Sequence, residues 1–119
     1  MDDMVAKLDR LYPKLRHNKP CFLCGRQSTE IHHIIHRDNM ILRYDLKNLI
    51  PLCSECHHNL HDRNIEIYIP VFRMEYLNTL KNTQFQDYLL QRNLTKKEFF
   101  KLKEFELRRE INEQYISRT

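Results

Sequence analysis

IHHIIHRDNMILRYDLKNLIPLCSECHHNLH, residues 31–61, decides how this chain reads. Together with Cys21-x2-Cys24 just upstream, it holds all the cysteines and every histidine except His17. A random core would not gather them so tightly. The cysteines come as two short knuckles, Cys21/Cys24 and Cys53/Cys56, and paired C-x2-C motifs in a chain without an export signal point to a four-cysteine zinc site rather than to disulfides. A thioredoxin-type redox reading needs a single such motif in a strand-and-helix setting that is absent here. Gly25 gives the first knuckle a residue that tolerates positive φ.

The histidines form a second group. On a helix, His57 and His61 are four apart and project from one face, so they can share an ion. By itself that pair could be two solvated surface histidines; His32-His33 nearby make a ligand set the better reading. A metal on His32, His57 and His61 would keep positions open for water and a phosphate oxygen, as catalytic metal sites do. His33 then becomes the general base, since a neutral imidazole can accept a proton near physiological pH. Neighbours on a regular strand face opposite ways, so His32 and His33 cannot both face one ion unless the strand twists or bulges. A ligand and a base flanking one phosphate need not share a face. Asn48, between the histidine groups, can hydrogen-bond across the loop or orient the base.

Around this cluster the elements follow from periodicity and punctuation. Met4, Val5, Leu8, Leu11, Tyr12 and Leu15 have helical spacing within a helix expected from about Asp2 to Arg16, which Pro13 kinks or ends. The segment Glu30–His36, with three isoleucines among its histidines, predicts a strand followed by a turn at Arg37-Asp38-Asn39. Leu49–Leu52 predicts a second extended segment delivering Cys53, and Ser54 to Asp62 a helix. Beyond Asp62 cysteine and histidine cease. Pro70 can open a helix as its first residue, with Val71, Met74, Leu77 and Leu80 on one face; another helix spans Phe85 to Gln91. Thr95-x2-Glu98 has capping-box spacing, ahead of a long, largely exposed last helix carrying Phe99, Leu102, Phe105, Glu106 and Arg109. The expected division is a zinc-stapled module with its leading helix over 1–62, and a helical extension over 63–119 packed on or beside it. The fold class is α+β, and there is no internal repeat.

At 119 residues the chain fits a single compact unit whose small core a metal staple would help. Lys and Arg outnumber Asp and Glu by 20 to 16, an excess too mild to separate a polyanionic partner from solvated surface. No apolar run approaches a membrane span, and the start MDDMVAKLDRLY lacks the basic-then-apolar order of a secretory signal, so a soluble, cytoplasmic protein without a membrane partner is the expectation.

The order HH, then N, then LCxxCHxxxH resembles the HNH endonuclease family, whose core is a β-hairpin and helix around one metal. The resemblance covers about Cys21 to His61, and the paired knuckles resemble its zinc-bearing branch. It implies a ββα-metal fold in which His32 is the strand ligand, His33 the base, Asn48 the middle asparagine and His57 the closing histidine. His61 matches a further ligand found only in some members, such as bacterial toxin nucleases. Cofactors implied are a structural Zn2+ on Cys21, Cys24, Cys53 and Cys56 and a catalytic divalent ion, Zn2+, Ni2+, Mn2+ or Mg2+, of which histidine ligation favours the first three. The implied partner is DNA and the products carry 5′-phosphates. His36 stands where many relatives have proline, and reads as surface or as a phosphate contact. Arg37, Arg43 and Lys47 could touch phosphates or be solvated charges. From Asn64 onward the tail resembles, loosely, phage recombination nucleases of the NinG type.

The alternative is a non-catalytic zinc-finger module binding nucleic acid, which leaves His32, His33 and His57 without a role. A zinc protease of the H-E-x-x-H kind is excluded because His58 stands where glutamate is needed. A nucleobase deaminase is excluded because no H-x-E segment precedes the cysteine pair.

Overall fold

A computed structural model describes residues 3–116, with side chains described as far as Glu113; Met1, Asp2 and Ser117–Thr119 lie outside the described residues, and with them the expected start of the first helix at Asp2. The described residues form five α-helices and a two-stranded antiparallel sheet. Helix α1 (Asp3–Leu11) runs into a 3-10 turn (Tyr12–Arg16), then come β1 (Glu30–His33), a 3-10 turn (Leu46–Asn48), β2 (Leu49–Leu52), α2 (Ser54–Asp62), α3 (Val71–Lys81), α4 (Phe85–Gln91) and α5 (Lys96–Ile116).

Helix α1 stops at Leu11 rather than Arg16 because Pro13 has no N–H to continue the ladder; the chain tightens into 3-10 geometry instead. Leu8, Leu11 and Leu15 still line one buried face across the junction. In the sheet Glu30 pairs with Leu52, Ile31 with Pro51, His32 with Ile50 and His33 with Leu49. The strand is shorter than the Glu30–His36 expectation, and the cause is Asn48. Its main-chain carbonyl accepts from Ile34 N–H at 3.0 Å, and its side-chain Oδ1 accepts from Ile35 N–H at 2.7 Å, which ends strand pairing there. Its Nδ2 donates to the carbonyls of Ile35 and Leu42, both at 3.0 Å. Asn48 is fully buried, so its amide is a clamp on the loop joining the strands.

Asn48→Ala would leave the half-buried Ile35 N–H and carbonyl without this partner, and would take from the buried Leu42 carbonyl one of its two donors, Asp45 N–H remaining. Unmet buried groups cost about 1–3 kcal/mol each, so a loss of roughly 3 kcal/mol is expected. Urea denaturation reads it, and a midpoint shift worth under 1 kcal/mol would contradict the clamp.

Helix α2 matches its expected span. Cys53 is its N-cap, with Sγ accepting from Cys56 N–H at 3.4 Å. Pro70 sits one step outside α3 as its cap rather than as its first residue. The capping box forms as spaced: Thr95 Oγ1 accepts from Glu98 N–H, and Glu98 Oε1 from Thr95 N–H, each at 3.1 Å. The last helix is less exposed than its sequence suggested. Its inner stripe is Phe99, Phe100, Lys103, Leu107 and Ile111, whereas Leu102 and Phe105 face solvent. These inner positions recur at intervals of four, and they pack α5 against α1 and the 3-10 turn that follows it. A single buried cluster therefore runs from Leu8 through Tyr44, Ile50 and Leu52 to Phe99, Phe100 and Ile111.

Candidate metal centres

Two groups of ligand-type side chains converge, one on each side of the start of α2. In the first, Cys21, Cys24, Cys53 and Cys56 bring their sulfurs within 4.8 Å of one another. The upstream knuckle is a tight reversal: Gly25 takes φ +78°, its N–H donates to the Cys21 carbonyl at 2.9 Å, and Pro20 bridges to Gln27. All four are free thiols, and the Cys24 and Cys53 sulfurs lie 3.7 Å apart, well beyond a disulfide bond length of roughly 2.05 Å. Burial alone would raise the Cys21 thiol, but backbone N–H donors from Cys53, Cys24 and Leu23 outweigh it and bring it down to about 6. Hydrogen bonding with the Cys53 thiol, then burial, pushes Cys56 up to about 12. That opposition is what four thiols sharing one space must show, since ionising one hinders the next until a cation joins them. The cluster can hold a structural metal such as zinc.

The second group is His32, His57 and His61, whose ring nitrogens also fall within 4.8 Å of one another. Ring centroids are 5.2 Å apart for His32–His57, 5.6 Å for His32–His61 and 5.1 Å for His57–His61. Strand β1 supplies the first and one face of α2 the other two, as the i,i+4 spacing requires. His61 is exposed while His32 and His57 are half-buried, so the group opens to solvent on the His61 side. Burial, then repulsion from His57, His61 and His33, takes His32 down to about 4. A ring kept neutral and converging with two others is a fit donor set for a divalent ion.

His57 is oriented by a residue the sequence reading passed over. Its Nδ1 lies 3.1 Å from Glu30 Oε1, and an ionised carboxylate can only accept, so Nδ1 carries the proton and Nε2 is left for an ion. Glu30 is itself held below the usual carboxylate range, first by a hydrogen bond from Ser54 and then by His57. The signal was present: Glu30 is two strand positions before His32 and therefore on the same face. Glu30→Ala is expected to weaken Ni2+ binding at the histidine group by roughly 10–100-fold in calorimetric titration. Unchanged affinity would remove Glu30 from that role.

His33 points the other way, as the strand's alternation demands. Its ring stands edge-on to Tyr12 at 5.1 Å, and its Nε2 lies 3.0 Å from the Arg43 carbonyl oxygen. That oxygen can only accept, so Nε2 is the protonated nitrogen and Nδ1 the one with a free lone pair. Burial lowers the His33 pKa, with the Arg43 carbonyl partly opposing it. Arg43 in turn makes a two-pronged bond to Asp9 on α1, at 3.2 and 2.8 Å, and Tyr44 Oη donates to the same carboxylate at 2.8 Å. No local pattern points to Asp9, because the pair is 34 residues apart.

The remaining candidates lie apart from both groups. The Asn48 side chain is spent on backbone at Ile35 and Leu42, and touches His33 only indirectly, through the loop that carries Arg43. Lys47 lies over the Tyr76 ring at 4.2 Å, and the Arg43 guanidinium is taken up by Asp9. His36 is exposed beside Asp38 at 3.1 Å, and His58 is exposed beside Asp62 at 2.8 Å, both pointing to surface roles. Arg37 is exposed.

No helix among the described residues is long and apolar enough to cross a membrane. Residues 21–63, which span β1, β2 and α2, match the family model described as HNH endonuclease, tying this segment to a nuclease family and to nucleic-acid chemistry. No curated protein and no solved structure matches the chain.

Proposed function

We propose, from the premise that residues 21–63 are an HNH module, that this chain is a metal-dependent endonuclease hydrolysing phosphodiester bonds in DNA. The observation that carries this reading is the convergence of His32, His57 and His61, with His33 on the adjoining strand position. A zinc-finger role would ask nothing of those four rings.

In this mechanism His32, His57 and His61 would hold the catalytic divalent ion, Zn2+, Ni2+, Mn2+ or Mg2+. When bound, that ion supplies Lewis acidity toward a phosphate oxygen. The protein's own groups do the rest. His33 accepts at Nδ1 the proton of the water that attacks phosphorus, and the Arg43 carbonyl keeps its ring in the productive tautomer. Glu30 keeps the His57 Nε2 lone pair available. Asn48 acts as a positioning residue, fixing the loop from which Arg43 reaches His33. The 3′-oxygen leaves, and 5′-phosphate ends result. The four cysteines would hold a structural Zn2+ that ties the upstream knuckle to the start of the helix bearing His57 and His61. A place in phage recombination or DNA processing, in the cytoplasm of a bacterial or phage-infected cell, accords with the resemblance of the tail to NinG-type nucleases.

Nicking of supercoiled plasmid tests the reading. Treatment with chelator should abolish conversion to open circles, and adding back single divalent ions should restore it. Binding to DNA without nicking under any of those ions would leave a binding module in its place.

A further inference from the structure

A wide cleft lies outside the metal groups. It has a volume of about 600 Å3 and is walled by the turn after α1, the segment leading into β1 and the part of α5 around Arg108, Ile111 and Asn112. Lys14, Arg16, His17 and Arg108 line it, with Thr29 and Asn112 as polar neighbours, and no acidic side chain among the described residues does so. All four basic residues are exposed. Neither Lys14 nor Arg16 is in a described salt bridge, and Arg108 gives only its Nε to Glu104, at 2.8 Å, which fixes the guanidinium and leaves its other nitrogens free of a described partner.

Two features connect this cleft to the histidine group. Thr29 adjoins Glu30, the carboxylate that orients His57, and Arg16 is close enough to Glu30 to help hold its carboxylate ionised. The basic lining thus comes near the carboxylate that orients His57. Lys14, Arg16, His17 and Arg108 all fall outside residues 21–63, so the charge of the cleft comes from the segments flanking the matched module, which supplies only the polar wall of Gln27, Ser28 and Thr29.

We propose that this cleft seats the sugar–phosphate backbone of DNA beside the scissile bond, with Lys14, Arg16 and Arg108 as its phosphate contacts. The inference deepens the nuclease reading and rests on it for the choice of ligand. A concave surface whose charged lining is all basic, with amide and hydroxyl donors between, suits a backbone track, and such contacts set register rather than sequence. Each phosphate neutralised releases counterion, so each contact adds about 0.9 to the slope of log affinity against log salt on duplex DNA.

The test is fluorescence anisotropy of a labelled duplex with the zinc-loaded full chain, no other divalent ion added, across a salt series. Lys14→Ala/Arg108→Ala should weaken binding and make the slope shallower by about two, and Arg16→Gln by about one, whereas Lys101→Ala on another part of α5 should leave it unchanged. Far-UV circular dichroism checks that these exposed positions leave the fold intact. A wild-type slope in both cleft variants overturns the proposal. Plasmid nicking by the unmodified chain reads the parent claim separately: nicking with unaltered slopes sinks the cleft alone, and altered slopes without any nicking sink the nuclease and keep the cleft.

Discussion

His33→Ala is expected to slow plasmid nicking by roughly 10²–10⁴-fold, the usual worth of a positioned general base, while the chain stays folded. The expectation follows from how the ring is held. Its Nε2 donates to the Arg43 carbonyl, so the basic nitrogen is Nδ1, and the ring contributes nothing to the His32–His57–His61 group across the strand. Removing it forfeits an edge-on contact with Tyr12 and one hydrogen bond, about 1–2 kcal/mol in all, too little to unfold the protein. His33→Gln sharpens the test, because its side-chain amide takes the place of Nε2 and can still donate to the Arg43 carbonyl but is not basic. Both variants should therefore fail alike while melting close to the parent. Nicking at the parental rate by either would remove His33 from the reaction.

Cys53→Ser is expected to lower Tm by roughly 10 °C or more and to cut nicking in parallel. Cys53 does two jobs: it is one of four converging thiols and it caps α2. Serine is a good N-cap, so the substitution keeps the cap and removes a metal ligand. What is lost is the tie between the upstream knuckle and α2, groups 29 residues apart at Cys24 and Cys53. Because α2 also carries His57 and His61, loosening its first turn should disturb the histidine group as well. Zinc content measured by mass spectrometry should fall below one per chain. A full zinc complement with an unchanged melting curve would make Cys53 a bystander.

Much of this was legible in the residues because the governing rules are local. The i,i+4 spacing of His57 and His61, the paired knuckles and the capping box at Thr95 depend on neighbours a few positions away, and each formed as spaced. Strand alternation likewise separated His33 from His32. What could not be read were effects from far along the chain. That Asn48 bonds across the loop is legible, but not which groups it takes: its amide reaches back 13 positions to Ile35, just past the end of β1 at His33. Arg43 read as a free cation until Asp9, on a different helix, claimed it. The apolar positions of α5 are hard to sort from sequence for a related reason. A helix carrying Phe99, Phe100, Leu102 and Phe105 has more apolar positions than one face can bury, and only packing against α1 decides which turn inward.

Glu30 is the instructive omission. It obeys the same alternation that placed His32, and a search for carboxylates two positions from a candidate ligand would have found it. Metal ligands stand out by residue type, but the groups that aim them must be looked for by geometry.

Metal stoichiometry tests the central claim most directly: calorimetric titration of Ni2+ into the zinc-loaded chain, alongside His32→Ala and His57→Ala. The expected result is one exchangeable ion per chain in addition to one tightly held zinc, with the exchangeable ion lost in both variants and the zinc retained. A parent chain that takes up no second ion, or variants that bind it as tightly as the parent, would contradict a shared histidine site.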